Sequence, residues 1–442
     1  MRSLHAPIAF AIAALAASTP ALAQISHPPA GATVMTPPGS SATAPAGPLL
    51  TLALALKMAR EDNPELSGAR HELGAAEGAR VQAGAWLNPT LETLLEDQRA
   101  ETRTTTIALS QPLELGGKRD ARIAAADRAI DIARIQLLGK ELDLEADVTA
   151  AFFAALIAQD RVNLARASLD LARRGSDAAG KRVTAGKVSP VEETKAKVAE
   201  AEVRRALIQA SGELKTSLAQ LRAAIGSGPA IAGVDGDALA IPDIPSAEQA
   251  SGLIDTSPAV VEARLQTQRQ QALVDLEQAK RIPDLTFTVG AKRDAELARN
   301  QAVLGLSIPL PVFDANRGNI QEAYRRRDKA EDLARATEVR LRAEAAAARQ
   351  RFETSVEEVD ALKREILPGA QSAFDAATKG YELGKFSYLD ALDAQRTLLQ
   401  ARAQYLQALA DAHRSATDLN RLIGTPATAA AVAAAAPTKE RP

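Results

Sequence analysis

Residues Thr102 to Arg122, TRTTTIALSQPLELGGKRDAR, pass a strand into a very long helix, and the chain does this twice. Thr104, Thr106, Ala108 and Ser110 alternate with Thr105, Ile107 and Leu109, the period of a strand. Pro112, which has no N–H for a sheet ladder, is expected to end the run. Gly116 and Gly117 then form a swivel, and an Ala-, Arg-, Asp- and Leu-rich stretch follows for roughly sixty residues, ~90 Å of helix. Gly305-Leu-Ser-Ile-Pro-Leu310 repeats Ala108-Leu-Ser-Gln-Pro-Leu113 at a distance of 197 positions, with Pro309 and Pro311 as its swivel. Gly186-Lys187 recurs as Gly384-Lys385, and Ile225-Gly226 as Ile423-Gly424, each 198 positions on. The chain is therefore an internal duplication of one unit: helices, hairpin, long helix, break, helix.

A compact domain cannot cover a rod of that length, so the rods must pack on one another. Leu207, Leu214, Leu218, Leu221 and Ile225, and in the second unit Phe352, Val356, Val359 and Ile366, have the narrow spacing of a coiled-coil seam. The long helices are expected to end near Arg174 and Leu367-Pro368, with breaks at Gly175 to Lys187 and Gly380 to Lys385. Only 3% of residues are aromatic, 24% are charged and the formal net charge is −2. Such a balance gives no reason to expect nucleic acid. The chain starts with a secretory pattern: Arg2 and His5, an apolar core from Ile8 to Ala17, and Ala21-Leu22-Ala23 as an A-x-A cleavage site. The domain reading is a signal peptide at 1–23, a disordered Pro/Gly/Ala linker at 24–48, a first repeat at 49–228 and a connector at 229–256. A second repeat at 257–424 and a disordered tail at 425–442 complete it. The hairpins fall at about 87–111 and 282–308. No cysteine is present, which leaves neither a disulfide framework nor a thiol for a lipid anchor.

Each unit supplies one hairpin of strands about ten residues long, a length that suits a bilayer. Four strands cannot close a barrel, and open edges are not tolerated in hydrocarbon. Closure needs several copies, three giving about twelve strands and two about eight. The predicted fold class is mostly α with a small transmembrane β part, its number of copies left open by the strands. The competing reading is a soluble periplasmic coiled-coil scaffold with a small β-domain. Trp86, Phe287 and Phe313 are candidates for an aromatic girdle or, equally, for ordinary core.

The order of elements, given twice after a signal peptide, resembles the outer-membrane efflux protein family typified by TolC, over Leu49 to Gly424. Tyr381-Glu-Leu-Gly-Lys-Phe-Ser-Tyr-Leu-Asp-Ala-Leu-Asp-Ala-Gln395 carries the family's most specific signature. Leu109-Ser-Gln-Pro-Leu-Glu-Leu-Gly-Gly-Lys-Arg119, with Asn63-Pro-Glu-Leu66 and Leu87-Asn-Pro-Thr-Leu91, is similar to the heavy-metal branch, the cobalt–zinc–cadmium type. The resemblance implies a homotrimeric export duct in the outer membrane of a Gram-negative bacterium, a trimeric β-barrel of about twelve strands continuous with a periplasmic α-helical barrel, not an enzyme. Its implied partners are outer-membrane lipid, a periplasmic membrane-fusion adaptor and an inner-membrane proton-driven RND pump. Its cargo would be heavy-metal cations, held weakly and transiently, with a multidrug or type I secretion duct as the alternative.

Two features gain a role from this resemblance. Ser189-Pro-Val-Glu192 and Ser387-Tyr-Leu-Asp390 are both Ser-x-x-acid patterns at helix starts, read as capping boxes. Asp390 thus has a structural reading, as an acid favoured at a helix N-terminus. The resemblance instead maps Asp390 and Asp393 onto a periplasmic gate, with Lys385 and Phe386 beside it. Some relatives place an Arg there to bolt the gate by charge pairing, which Phe386 cannot do. Gly186, Lys187 and Gly384 lie in helix-turn-helix tips; glycine suits a left-handed turn there, and the resemblance adds adaptor docking. No catalytic residue, resident metal site or cofactor is expected: four histidines are scattered and no His-x-x-x-His or phosphate loop occurs.

Overall fold

The computed structural model describes residues 49–226, 228, 231–424, 430 and 432. The expected leader, its cleavage after Ala23, the linker at 24–48 and most of the tail lie outside these residues. A short strand β1 (Leu50–Thr51) leads into helices α1 (Leu52–Asp62) and α2 (Pro64–Ala83). The hairpin β2 (Thr90–Glu96) and β3 (Thr104–Leu113) follows, and then the rods α3 (Lys118–Thr184) and α4 (Pro190–Ile225). The strand β4 (Val234–Asp235) and the helix α5 (Ala247–Ile254) bridge to the second unit. That unit has α6 (Pro258–Ala279), the hairpin β5 (Leu285–Asp294) and β6 (Arg299–Ser307), then α7 (Arg317–Ala361), a π-turn at Leu362–Ile366, α8 (Leu367–Glu382) and α9 (Tyr388–Ile423).

The two hairpins form one antiparallel sheet in the order β2-β3-β5-β6. Leu91 lies opposite Leu109, Leu109 opposite Val289, and Val289 opposite Leu304. Ile107, Phe287 and Leu306 share that face, and all seven side chains are exposed. The other face carries Glu92, Thr106, Ser110, Thr288 and Lys292, and the Ser110 and Thr288 hydroxyls meet at 2.9 Å. The alternation is therefore that of a sheet with one apolar and one polar face, and the apolar face is bare. Trp86 and Phe313 are also exposed, the latter completely, which overturns the core reading of these aromatics.

At the rods' middle, α1, α3, α4 and α9 bury Phe152, Leu156, Leu221, Ile225 and Leu409 in one cluster, which the β1–β4 pair caps through Leu50 and Val234. A second cluster joins α5, α6, α7 and α9 around Val260, Leu341 and Leu419.

Several expectations need correction. Pro112 does not end β3; it lies within it, opposite Thr286. Pairing with β2 stops at Ser110, so from Gln111 onward β3 has a neighbour on one side only, and an edge tolerates a missing N–H. The first long helix does not break at Gly175 but continues to Thr184, and the second rod continues through Gly380 to Glu382. Neither does Leu367-Pro368 interrupt it, because the π-turn just before Pro368 absorbs the missing N–H and the ring's bulk. The same turn shifts the seam's phase: Ile366 is exposed, and Leu362 is buried in the central cluster. Beyond α9, Val432 is buried against Ile132, Ile135 and Leu265, so the tail is not wholly unstructured as expected.

Candidate functional site

The residues singled out in the sequence lie at two ends of the molecule. The swivel set sits where strands become rods and the tip set where rods reverse; α3, of 67 residues, separates them by ~100 Å.

At the tips, both reversals use the same device. Gly186 and Gly384 adopt left-handed φ of 70° and 72°. Lys187 N–H donates to Arg182 O and Lys385 N–H to Gly380 O, at 2.9 and 2.8 Å, the long-range bond of a Schellman turn. The next helices begin differently. Ser387 and Asp390 make a reciprocal capping box: the Asp390 N–H donates to Ser387 Oγ at 3.3 Å, and the Ser387 N–H donates to Asp390 Oδ2 at 2.9 Å. The Ser387 hydroxyl adds a third bond to Asp390 Oδ2 at 2.8 Å. At the other tip, Ser189 Oγ accepts from Val191 N–H and Glu192 makes no return bond, so the expected first capping box is a simple N-cap with Pro190 in the first turn.

Asp390 and Asp393 are exposed on successive turns of α9, and neither belongs to an ion pair among the described residues. The Ser387 hydroxyl, and then its backbone N–H, hold the Asp390 carboxyl below the usual carboxylate range. Lys385 is exposed beside them. Phe386 is half-exposed, its ring lying over Gly380, where any Cβ would collide with Cε2 and Cγ.

Sequence reasoning missed what binds the tips together. Tyr388 is buried with Ala179 and Ala196, which come from the first unit's rods. Its ring meets Tyr381 edge-on at 5.6 Å, and burial pushes its phenol up. The Arg182 guanidinium stacks 4.3 Å from the Tyr381 ring centre and donates to Tyr381 O at 3.3 Å. Tyr381 and Tyr388, seven apart across a Gly-containing turn, were the available signal.

At the opposite end, Gly116 and Gly117 both have φ near 75°. A Cβ on Gly116 would stand 2.8 Å from Ile282 Cβ, so the first swivel abuts the start of β5. Lys118, largely buried, donates to Asp284 Oδ1 at 2.6 Å, and Leu115 N–H donates to the same oxygen at 3.2 Å. Arg122 pairs with Glu114. In the second swivel Pro309 and Pro311 are exposed, and Asn316 takes the left-handed position with φ 58°; its amide donates to Glu277 O at 2.8 Å.

Among the described residues no group of three or more His, Asp or Glu could hold a metal ion, and no helix is long and apolar enough to cross a membrane. The latter says nothing of strands.

A sheet with a bare apolar face, prolonged into paired rods that close on reversing tips, defines a class: a channel-type protein of the TolC-like fold. Solved structures agree on the fold. The chain superposes on CusC with a TM-score of 0.74 at 18% identity, covering 84% of this chain and 92% of that one. On the outer membrane protein VceC of Vibrio cholerae the TM-score is 0.71 at 21% identity, covering 84% and 96%. The family model described as outer membrane efflux protein matches residues 55–227 and 250–425, and the chain belongs to that family, one of channels rather than enzymes. It is 46% identical over 380 residues to the cobalt-zinc-cadmium resistance protein CzcC of Cupriavidus metallidurans, spanning 86% of this chain and 91% of that protein. It is 31% identical over 278 residues to the nickel-cobalt-cadmium resistance protein NccC of Alcaligenes xylosoxydans, spanning 62% and 63%.

Proposed function

We propose that this chain is the outer-membrane duct of a proton-driven tripartite efflux system whose cargo is heavy-metal cations. Three copies close a barrel of about twelve strands, and the rods continue it across the periplasm as a helical tunnel. The observation that carries the duct is the sheet itself: its apolar face is uncovered and its outer strands, β2 and β6, have no outer neighbour. Strands of ten residues, tilted as barrel strands are, span about 25 Å of hydrocarbon. A soluble scaffold would leave that face in water, where exposed apolar area costs about 25 cal/mol per Å². The cargo is argued from the 46% identity to a cobalt-zinc-cadmium resistance protein.

In this reading the leader is removed after Ala23, and the repeats at 49–228 and 257–424 are the two building units of the duct. Asp390 and Asp393 of three copies ring the periplasmic opening with six carboxylates, which attract cations and repel one another when none is present. The tips around Gly186, Lys187 and Gly384 receive the adaptor, and the inner-membrane pump drives export. Gly116, Gly117, Pro112, Pro309 and Pro311 turn barrel strands into tunnel rods.

The test is growth of a strain lacking this chain on graded zinc, cobalt, cadmium, nickel and copper, beside dyes and antibiotics. Selective metal sensitivity, restored by the intact gene, is the expected result. Sensitivity to drugs alone overturns the cargo and moves the chain to the multidrug branch. Extraction from envelopes by carbonate without detergent overturns the duct.

A further inference from the structure

The duplicated unit treats its two swivels differently. Helices α3 and α7 both start from a left-handed residue, Gly117 and Asn316, so Lys118 and Arg317 are their matching first residues. Around the first start the basic side chains are used within the chain. Lys118 is largely buried against Asp284, Arg122 pairs with Glu114, and Arg119 lies 5.1 Å from the Trp86 ring centre while donating to Gly84 O. Around the second start two are left over. The ion pairs there are Lys280–Glu277, Arg325–Asp328, Arg326–Glu322 and Arg327 with Asp328 and Glu331. Arg281 and Arg317, both exposed, take part in none among the described residues.

These two arginines line an open cleft of about 520 Å³ between the end of α6 and the first turns of α7, together with Tyr324, Arg325, Arg327 and Asp328. Four guanidinium groups there meet one carboxylate, which Arg325 and Arg327 share at 3.3 and 2.7 Å. A concave site with that excess of planar, forked donors suits the oxygens of a phosphate. The chain fixes its level. Arg281 stands four positions before Leu285 (285 − 281), where β5 begins, so it is at most ~13 Å from the foot of the sheet. Ile308, Leu310, Val312 and Phe313, in the run that joins β6 to α7, are all exposed. Tyr324, also exposed, accepts a hydrogen bond from Gln278 at 2.7 Å, with the Arg327 guanidinium 5.1 Å from its ring centre. An apolar run for acyl chains, an aromatic at the boundary and arginines for a phosphate are what a phospholipid meets at a membrane surface. We propose that this cleft holds the headgroup phosphate of an anionic phospholipid from the periplasm-facing leaflet, once per copy and at the second swivel alone. This rests on the outer-membrane duct reading above and gives that duct a lipid site.

The test uses the full-length protein purified from envelopes in neutral detergent, with bound lipid counted by native mass spectrometry. Phosphatidylglycerol is the anionic probe, phosphatidylcholine the zwitterionic one and inorganic phosphate the soluble one. Phosphatidylglycerol should bind, and phosphatidylcholine several-fold more weakly. Arg281→Gln with Arg317→Gln should weaken phosphatidylglycerol binding roughly thirtyfold, each arginine near a membrane surface being worth about fivefold. Both side chains are exposed, so thermal melts of the double variant should match the original. Arg335→Gln removes an exposed arginine ~27 Å farther along the same helix and should leave binding unchanged. Undiminished binding by the double variant, or an equal loss in Arg335→Gln, overturns the site. Displacement of phosphatidylglycerol by inorganic phosphate at equal concentration overturns the lipid and leaves a soluble phosphate as the ligand. A protein that leaves envelopes in carbonate fails the duct reading; a detergent-dependent one whose double variant still binds fails this site alone.

Discussion

Gly380→Ala sets two effects of similar size against each other. Gly380 lies inside α8, where replacing glycine by alanine stabilises a helix by about 1 kcal/mol. Its Cα also supports the Phe386 ring, and an added Cβ would expel that ring. Phe386 is 50% exposed, so about half of its burial is at stake, roughly 1–1.5 kcal/mol of the ~1.5–3 kcal/mol for a full side chain. The substitution should therefore leave overall stability within about 1 kcal/mol of the original. Its effect is local. The Lys385 and Phe386 amides, which donate to Gly380 O at 2.8 and 3.2 Å, lose the cover of the ring. Hydrogen exchange of peptides spanning this tip reads the change, because tips open locally. In the natural background their exchange should be unchanged or faster by up to roughly twofold, the equivalent of about 0.5 kcal/mol. In a Phe386→Ala background the ring is already gone, only the helix-propensity gain remains, and Gly380→Ala should slow exchange by roughly fivefold. The coupling between the two sites is then about 1–1.5 kcal/mol. Equal slowing in both backgrounds would refute the seat of Phe386 on Gly380 and, with it, the reason a glycine stands there.

Replacing Asp390 and Asp393 together by Ala should weaken cation block of the reconstituted pore several-fold; unchanged block of conductance would sink the gate assignment. Because Ser387 holds the Asp390 carboxyl below its usual value, Asp390 stays ionised through the ordinary carboxylate range, and its capping contribution is lost only as pH falls through the depressed value. Ser387→Ala should move the acid loss of cation block to higher pH. His413 is buried, stacked 3.8 Å from the Phe153 ring, with Nε2 2.8 Å from Ala238 O. Burial pushes its imidazole below the usual value, against the opposing effects of Ala238 O and Asp237. The neutral form is favoured in the folded chain, so this stabilisation is full above about pH 6.5 and declines as pH falls from there toward the lowered value. His413→Gln, which keeps a donor for Ala238 O, should lose less stability between pH 7.5 and pH 5.5 than the original protein in thermal melts; an equal loss would contradict the assignment.

The parts legible in the sequence are those written in period and repetition. Strand alternation around Ile107 and Leu109, the Ser110/Ser307 recurrence and the Ser387–Asp390 cap all depend on near neighbours in the chain, and all reappear in the fold. What stayed hidden depends on a third body. Pro112 lies inside a strand because β2 has already stopped pairing there, a fact of register rather than of propensity. Gly175 stays helical because the rod is held by its packing, which outweighs a penalty of about 1 kcal/mol. The π-turn at Leu362–Ile366 leaves no compositional mark, yet it sets which residue of the seam faces inward. Ser189–Glu192 has the letters of a capping box, but the Ser189 hydroxyl takes the Val191 N–H and the glutamate finds no return bond. The two kinds of information meet at the bare edges. Repetition identifies which strands are equivalent, and the sheet identifies how equivalent strands pair. Neither alone specifies how one copy meets the next, because pairings two residues apart present the same apolar face.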